Sequence, residues 1–227
     1  MIELIKNFFN QNVYERIASG IFFVVPFIYL ILKGGTWFVL FFILLLVIII
    51  YEFNVSSKNK ISLWLRFLII NMFIISFFHF IFLRVIFDIF IVEYLLFIIS
   101  SIWIFDSFSL IGGRLIGGRK LIPTISPNKT YSGFITGIIS LIIFSSSLII
   151  YYDLNNFIIV FSLVIGLISF VGDAIESSIK RFLKIKDFSN LMPGHGGIID
   201  RMDAFLLFFL IHFFFSILIF NPVNLYV

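Results

Sequence analysis

The chain has 227 residues, 61% of them hydrophobic and only 12% charged, with a formal net charge of +4 and no cysteine. A soluble domain of this length carries about 25% charged residues, so there is too little polar surface to cover a water-soluble globule, and the lack of Cys excludes disulfides and thiolate metal sites. The basic balance reads as positive loops facing anionic lipid headgroups, not as a nucleic-acid surface.

A bilayer-spanning helix needs about 20 mostly apolar residues. Seven stretches approach that length: residues 17–32, 37–51, 62–83, 91–105, 133–152, 157–174 and 204–220, the second and fourth being short. No small-residue cleavage site follows the first, so that span is expected to stay. With the amino terminus placed in the cytoplasm, 14 of the 16 Lys and Arg fall on the inner side, and only Lys33 and Arg84 on the outer side. Cytoplasmic loops carry such an excess. The expectation is an all-α, polytopic integral membrane helical bundle with about seven transmembrane helices, N-terminus cytoplasmic and C-terminus outside. Residues 1–90 would form about three amino-terminal spans. Residues 91–227 would form a core with two long cytoplasmic loops, 107–132 and 176–203. A re-entrant segment within 110–121 is compatible with this layout.

Glu52 closes the second span on the cytoplasmic side, where a headgroup contact and a functional role stay equally open. His79 and His212 lie within apolar runs and read as satisfied helix residues. Asp88 and Glu93 read as solvated outer charges. Asp106 ends the fourth span without a partner adjacent in sequence, so its partner must come from the fold.

The first long loop carries Gly112-Gly113-Arg114, Gly117-Gly118-Arg119-Lys120 and Ser126-Pro127-Asn128-Lys129-Thr130. Hydroxyls, an amide and cations are the donors a phosphate takes. A basic loop attracted to anionic lipid, worth about 1 kcal/mol per Lys or Arg, fits equally well.

Asp173 and Glu176 are three residues apart at the cytoplasmic end of the sixth span, hence on one helix face, with Ser177 one turn from Asp173 and Lys180 one turn from Glu176. An ionisable residue following a long apolar run is costly there and marks function by default, the plainer alternative being a helix-end Glu–Lys pair. Next comes Pro193-Gly194-His195-Gly196-Gly197, whose glycines would let backbone N–H groups approach a phosphate; a flexible loop with an incidental His is the alternative. Asp200-Arg201-Met202-Asp203 supplies a second carboxylate pair. Mg2+ takes carboxylate oxygens, usually one or two, with substrate phosphates completing its shell. Asp near a helix start is also stabilising without any metal.

From Ser177 the chain reads Ser-Ser-Ile-Lys-Arg, four residues, Lys-Asp, and then Pro-Gly-His-Gly-Gly-Ile-Ile-Asp-Arg-Met-Asp to Asp203. This resembles the signature of the phosphatidate cytidylyltransferase (CDP-diacylglycerol synthase) family, with Met192 standing where the pattern has Leu, Ile or Phe. The upstream block from Asp106 to Thr130 is similar to a second family loop. There Phe108 and Asn128 stand where members often have Gly, as Tyr131 does where many have Trp. The resemblance covers roughly residues 100–215. The chain is shorter than many bacterial members, and one or two amino-terminal spans are expected to be missing.

The resemblance implies transfer of CMP from CTP to phosphatidate in phospholipid biosynthesis, giving CDP-diacylglycerol and pyrophosphate. It implies Mg2+ held by Asp173 and Asp200, with Glu176, Asp203 and Asp106 as further candidates, and leaves room for a monovalent cation such as K+. Lys180, Arg181 and Arg201 would neutralise phosphate charge; Ser126, Lys129 and Ser177 would position phosphate oxygens. His195, Gly196 and Gly197 would cover the leaving group or lipid headgroup. The expected partners are CTP, phosphatidate, the membrane and a second copy of the chain as a homodimer, with no nucleic acid. The expected location is the inner cell membrane, multi-pass, with the site facing the cytoplasm. Rival readings are a CTP-dependent polyprenol kinase, a transporter, and an inactive lipid-binding relative.

Overall fold

The computed structural model describes residues 11–192 and 196–219. Among them are seven α-helices and one two-stranded hairpin: α1 (Gln11–Lys33), α2 (Gly35–Ser57), α3 (Leu63–Ile86), α4 (Asp88–Leu115), β1 (Lys120–Ile122), β2 (Ser126–Thr130), α5 (Tyr131–Tyr152), α6 (Phe157–Phe182) and α7 (Ile199–Ile219). Each apolar stretch seeds one helix; Phe220, at the end of the last, lies outside the described residues. The two short stretches become helices of 23 and 28 residues. Hydropathy stops at the first polar residues, Glu52 and Asp106, but the backbone hydrogen-bond ladder does not need apolar side chains to continue.

Among the described residues, five helical segments are long and apolar enough to cross a bilayer: α2, α3, Ile91–Leu115 of α4, α5 and α6; Ala18–Lys33 of α1 is a shorter apolar segment. The protein is therefore a polytopic helical membrane protein. In lipid every backbone polar group must be satisfied internally, which helices achieve within one segment.

The described residues form two compact units. One comprises those up to Val92 with Phe182–Met202; the other comprises Glu93–Arg181 and those from Asp203 on. In the first unit, Phe27, Phe38, Phe42, Phe77 and Phe80 are essentially fully buried. Their rings meet at 5.0 Å (Phe27–Phe42), 4.7 Å (Phe38–Phe42) and 4.8 Å (Phe42–Phe80). The abundant Phe thus joins α1, α2 and α3 by aromatic packing. Gly34, at φ 64°, makes the turn between α1 and α2. Arg84 of α3 fills the space a side chain there would take.

Arg84 is 5% exposed, and its Nε donates to the Ile31 carbonyl at 2.8 Å while Nη2 reaches Leu32 O at 3.4 Å. Helix ends leave such carbonyls orphaned, and a cation there also opposes the negative end of the dipole. The residue that reads as an outer-loop charge is therefore a buried clamp on the end of α1. Arg84→Met is expected to lower the stability of the detergent-solubilised protein by about 1–3 kcal/mol, the cost of stranding buried acceptors, measured as an earlier thermal unfolding transition. An unchanged transition would show the clamp to be dispensable.

In the second unit, α4 and α5 approach through small residues. A Cβ on Gly112 would collide with the Thr136 side chain, and one on Gly137 with Ser109 and Phe105. Ser140 and Ser145 are buried on the same helix and return their hydroxyls to the carbonyls of Gly137 and Leu141, each at 2.7 Å. The α4–α5 connection is a hairpin, not a further helix: β1 and β2 pair antiparallel with Lys120 opposite Thr130 and Ile122 opposite Ser126. The Thr130 hydroxyl then accepts from Gly133 N at 3.1 Å and caps α5. The run Ser126-Pro127-Asn128-Lys129-Thr130 is thus a short strand aimed into a helix cap. A sequence reading for helices and loops did not anticipate it.

Candidate active site

The α6 stripe forms as its spacing requires. Ser177 Oγ donates to Asp173 Oδ1 at 3.2 Å, and Lys180 Nζ lies 2.7 Å from Glu176 Oε2. Glu176 and Ser177 are buried. The small Gly172 lets α7 pass close by, since a Cβ there would lie 3.0 Å from the Ala204 Cα and 3.1 Å from the Asp203 carbonyl. Asp203 thereby joins the stripe: carboxylate oxygens of Asp173, Glu176 and Asp203 all lie within 4.8 Å of one another. Asp203 also feels the like charge of Asp106 and the opposite charge of Lys129. The partner that Asp106 lacked in sequence is Ser169, whose Oγ donates to its Oδ1 at 2.6 Å.

The hairpin delivers the countercharge. Lys129 Nζ sits 2.8 Å from Asp173 Oδ2 and 4.5 Å from the Phe170 ring centroid, and donates to Phe170 O at 3.3 Å. Arg181 Nε reaches the Ile125 carbonyl in the hairpin turn at 3.4 Å. A cation on the face of a ring and against a carboxylate is held in place by both. Ser126 is half-buried at the start of β2.

This donor set suits a hard divalent cation. Three converging carboxylates are oxygen ligands of the kind Mg2+ takes, and an ammonium already rests on one of them. Lys180 and Lys129 offset part of the negative charge, so a divalent ion and its phosphates would meet a site that is negative at the carboxylates and positive at their flank.

The remaining expected residues lie on the segment before α7 and in its first turn, in the first unit. His195 lies outside the described residues, as do Pro193 and Gly194. Met192 and Gly196 pair across them, with Met192 N to Gly196 O at 2.8 Å and Gly196 N to Met192 O at 3.1 Å. Asp200 Oδ2 accepts from Gly197 N at 2.7 Å and from Phe188 N at 3.0 Å. Ile198 N and Ile199 N donate to Glu52 at 3.1 and 3.0 Å. The backbone N–H groups of 196–199 are thus given to protein acceptors, whereas the glycines had suggested a phosphate. Arg201 is exposed beside them. Sequence reasoning left Glu52 undecided; its only signal was a carboxylate closing an apolar helix.

The match to known proteins follows this geometry. Residues 56–219, most of the chain, match the model of the Cytidylyltransferase family. The chain belongs to this family. A phosphatidate cytidylyltransferase of Rickettsia felis is 36% identical over 222 residues, covering 92% of this chain and 94% of the relative. The Rickettsia bellii protein of the same name is 37% identical over 213 residues, 90% of each. The Staphylococcus saprophyticus protein of that name is 38% identical over 117 residues, and there the match spans only 45% of the relative. The family match takes in both the α6 stripe and the hairpin.

Proposed function

We propose that this protein is a phosphatidate cytidylyltransferase that transfers CMP from CTP to phosphatidate. A phosphate oxygen of the lipid attacks the α-phosphorus of CTP. The bond to the β-phosphate breaks and pyrophosphate leaves, so the product is CDP-diacylglycerol. The observation that carries this reading is the convergence of Asp173, Glu176 and Asp203 beside Lys129 and Lys180 in a membrane protein of this family. Such a transfer needs positioning and charge neutralisation, with no protein nucleophile.

Asp173, Glu176 and Asp203 would hold Mg2+, which supplies Lewis-acid charge stabilisation to the phosphates when bound. Lys129 and Lys180 keep phosphate oxygens beside those carboxylates, and Ser177 and Ser126 offer hydroxyls to orient them. Arg181 secures the hairpin and presents its cation at the same flank. By the family resemblance alone, Arg201, in the first turn of α7, would neutralise phosphate charge, and His195, Gly196 and Gly197 would cover the leaving group or headgroup. A monovalent ion such as K+ would find oxygen ligands in the same acidic cluster with Asp106. The reading places the amino terminus in the cytoplasm and counts α1 and α7 as spans, seven in all. The site then faces the cytoplasm at the inner cell membrane, where lipid enters laterally and CTP from water. The active form would be a homodimer.

Purified protein given CTP and phosphatidate is expected to form CDP-diacylglycerol and pyrophosphate only with Mg2+. Release of CDP with phosphorylation of an alcohol would instead indicate a kinase, and no nucleotide turnover would reject the reading. Asp200, the other metal ligand the resemblance implies, is separable by kinetics. Asp200→Asn is expected to lower turnover by about tenfold, the scale of a lost supporting contact, with the Mg2+ half-saturation point unchanged. A Mg2+ requirement raised as much as in Asp173→Asn would return Asp200 to the metal shell.

A further inference from the structure

Glu52 is the one acidic residue of α2, and the helix residues before it are almost all apolar. It is 3% exposed. A carboxylate buried to this degree must be met by donors or by charge. Its donors come from a segment some 140 residues away: Oε1 accepts from Ser189 Oγ and from Ile198 N at 3.1 Å, and Oε2 from Ile199 N at 3.0 Å. The latter two open α7, so the carboxylate also sits at the positive end of that helix.

The surroundings are built to admit it. A Cβ on Gly197 would lie 2.8 and 2.9 Å from the two Glu52 oxygens, so any side chain there would displace the carboxylate. One turn farther along α2, Ser56 Oγ donates to Phe188 O at 2.7 Å, and the Phe53 and Phe188 rings pack at 6.2 Å. Asp200 holds the same segment from the other side through Phe188 N and Gly197 N. The backbone of 196–199 is thus clamped between two carboxylates, one from α2 and one from α7.

We infer that Glu52 is a positioning residue of the proposed reaction: its carboxylate fixes the 196–199 backbone and the first turn of α7, and through them the stance of Asp200 and Arg201. Gly197 belongs to this device as the residue that makes room for it. The inference rests on the cytidylyltransferase reading for its effect on turnover, while the anchoring itself is measurable without substrate.

The test uses the full-length protein in detergent or vesicles, with Glu52→Gln and Glu52→Ala. Gln keeps the reach but turns an NH2 toward a backbone N–H; Ala removes every acceptor. Amide hydrogen exchange across 196–199 is expected to quicken in both variants. Turnover per folded molecule is expected to fall by about 10- to 100-fold in the Ala variant and less in the Gln variant, the range for supporting partners of a reacting site. KM for CTP should stay within about twofold, since a misplaced group costs turnover before it costs ground-state binding. If Glu52→Ala does not fold, Gly197→Ala, which crowds the same oxygens, should give the same split. Unchanged kcat per folded molecule in the folded variants overturns the positioning role alone. A wild-type protein that makes no CDP-diacylglycerol overturns the function, and unchanged exchange across 196–199 overturns the anchoring.

Discussion

With Asp173 replaced by Ala, CDP-diacylglycerol formation is expected to fall by about 10³-fold or more, the scale on which preorganised electrostatic groups act at reacting centres. Asp173 is where three parts of the site meet. Its Oδ2 holds Lys129 at 2.8 Å, its Oδ1 takes the Ser177 hydroxyl at 3.2 Å, and its carboxylate converges with those of Glu176 and Asp203. Removing it subtracts a proposed metal ligand, leaves an ammonium without its anion and frees a hydroxyl to rotate. Membrane insertion should survive, because the side chain is 42% exposed and follows the long apolar run of α6 instead of interrupting it. Asp173→Asn separates shape from charge and is expected to fail almost as completely, with a raised Mg2+ requirement. The measurement is turnover against Mg2+ concentration in purified, correctly folded protein. Full activity with an ordinary Mg2+ curve in Asp173→Asn would remove this residue from the metal site, and Asp203→Asn tests the neighbouring ligand in the same way.

Lys129→Met is expected to separate turnover from metal affinity. The ammonium now rests against the oxygen a metal would use, so it competes for Asp173 while also standing ready for a phosphate. Without it, three carboxylates keep less countercharge, and Mg2+ should bind more tightly. Turnover should nevertheless drop by about 10²–10³-fold, because the cation proposed to stabilise developing phosphate charge is gone. Met can lay its thioether against the Phe170 ring where the ammonium now lies, so the hairpin should remain docked. Thermal stabilisation by Mg2+ alone reports the first effect and CDP-diacylglycerol formation the second. A variant with weaker Mg2+ binding would mean that Lys129 supports the metal site instead of competing for it.

The membrane class, the helices and the α6 stripe are readable in the sequence because each is a local regularity. Long apolar runs of bilayer length have few alternatives to helix, since lipid leaves backbone groups no other partners. Residues 173, 176, 177 and 180 share a face through the 3.6-residue period alone. The Ser177–Asp203 signature likewise lies in one continuous segment, which is why the family is visible before any fold.

What only the tertiary structure decided is which of those groups meet. Spacing pairs Asp203 with Asp200 along one helix, whereas packing at Gly172 brings Asp203 to Asp173 and Glu176. Order along the chain places Lys129 in a loop; the pairing of β1 with β2 turns it toward Asp173. Glu52 is a solitary acid in sequence and finds its partners, Ser189, Ile198 and Ile199, only through the packing of α2. Such contacts depend on shape complementarity between segments far apart in the chain, and on buried polar groups finding whichever partners the packing supplies. The charges that follow the apolar runs are thus written locally, and the distances between them are set by the fold.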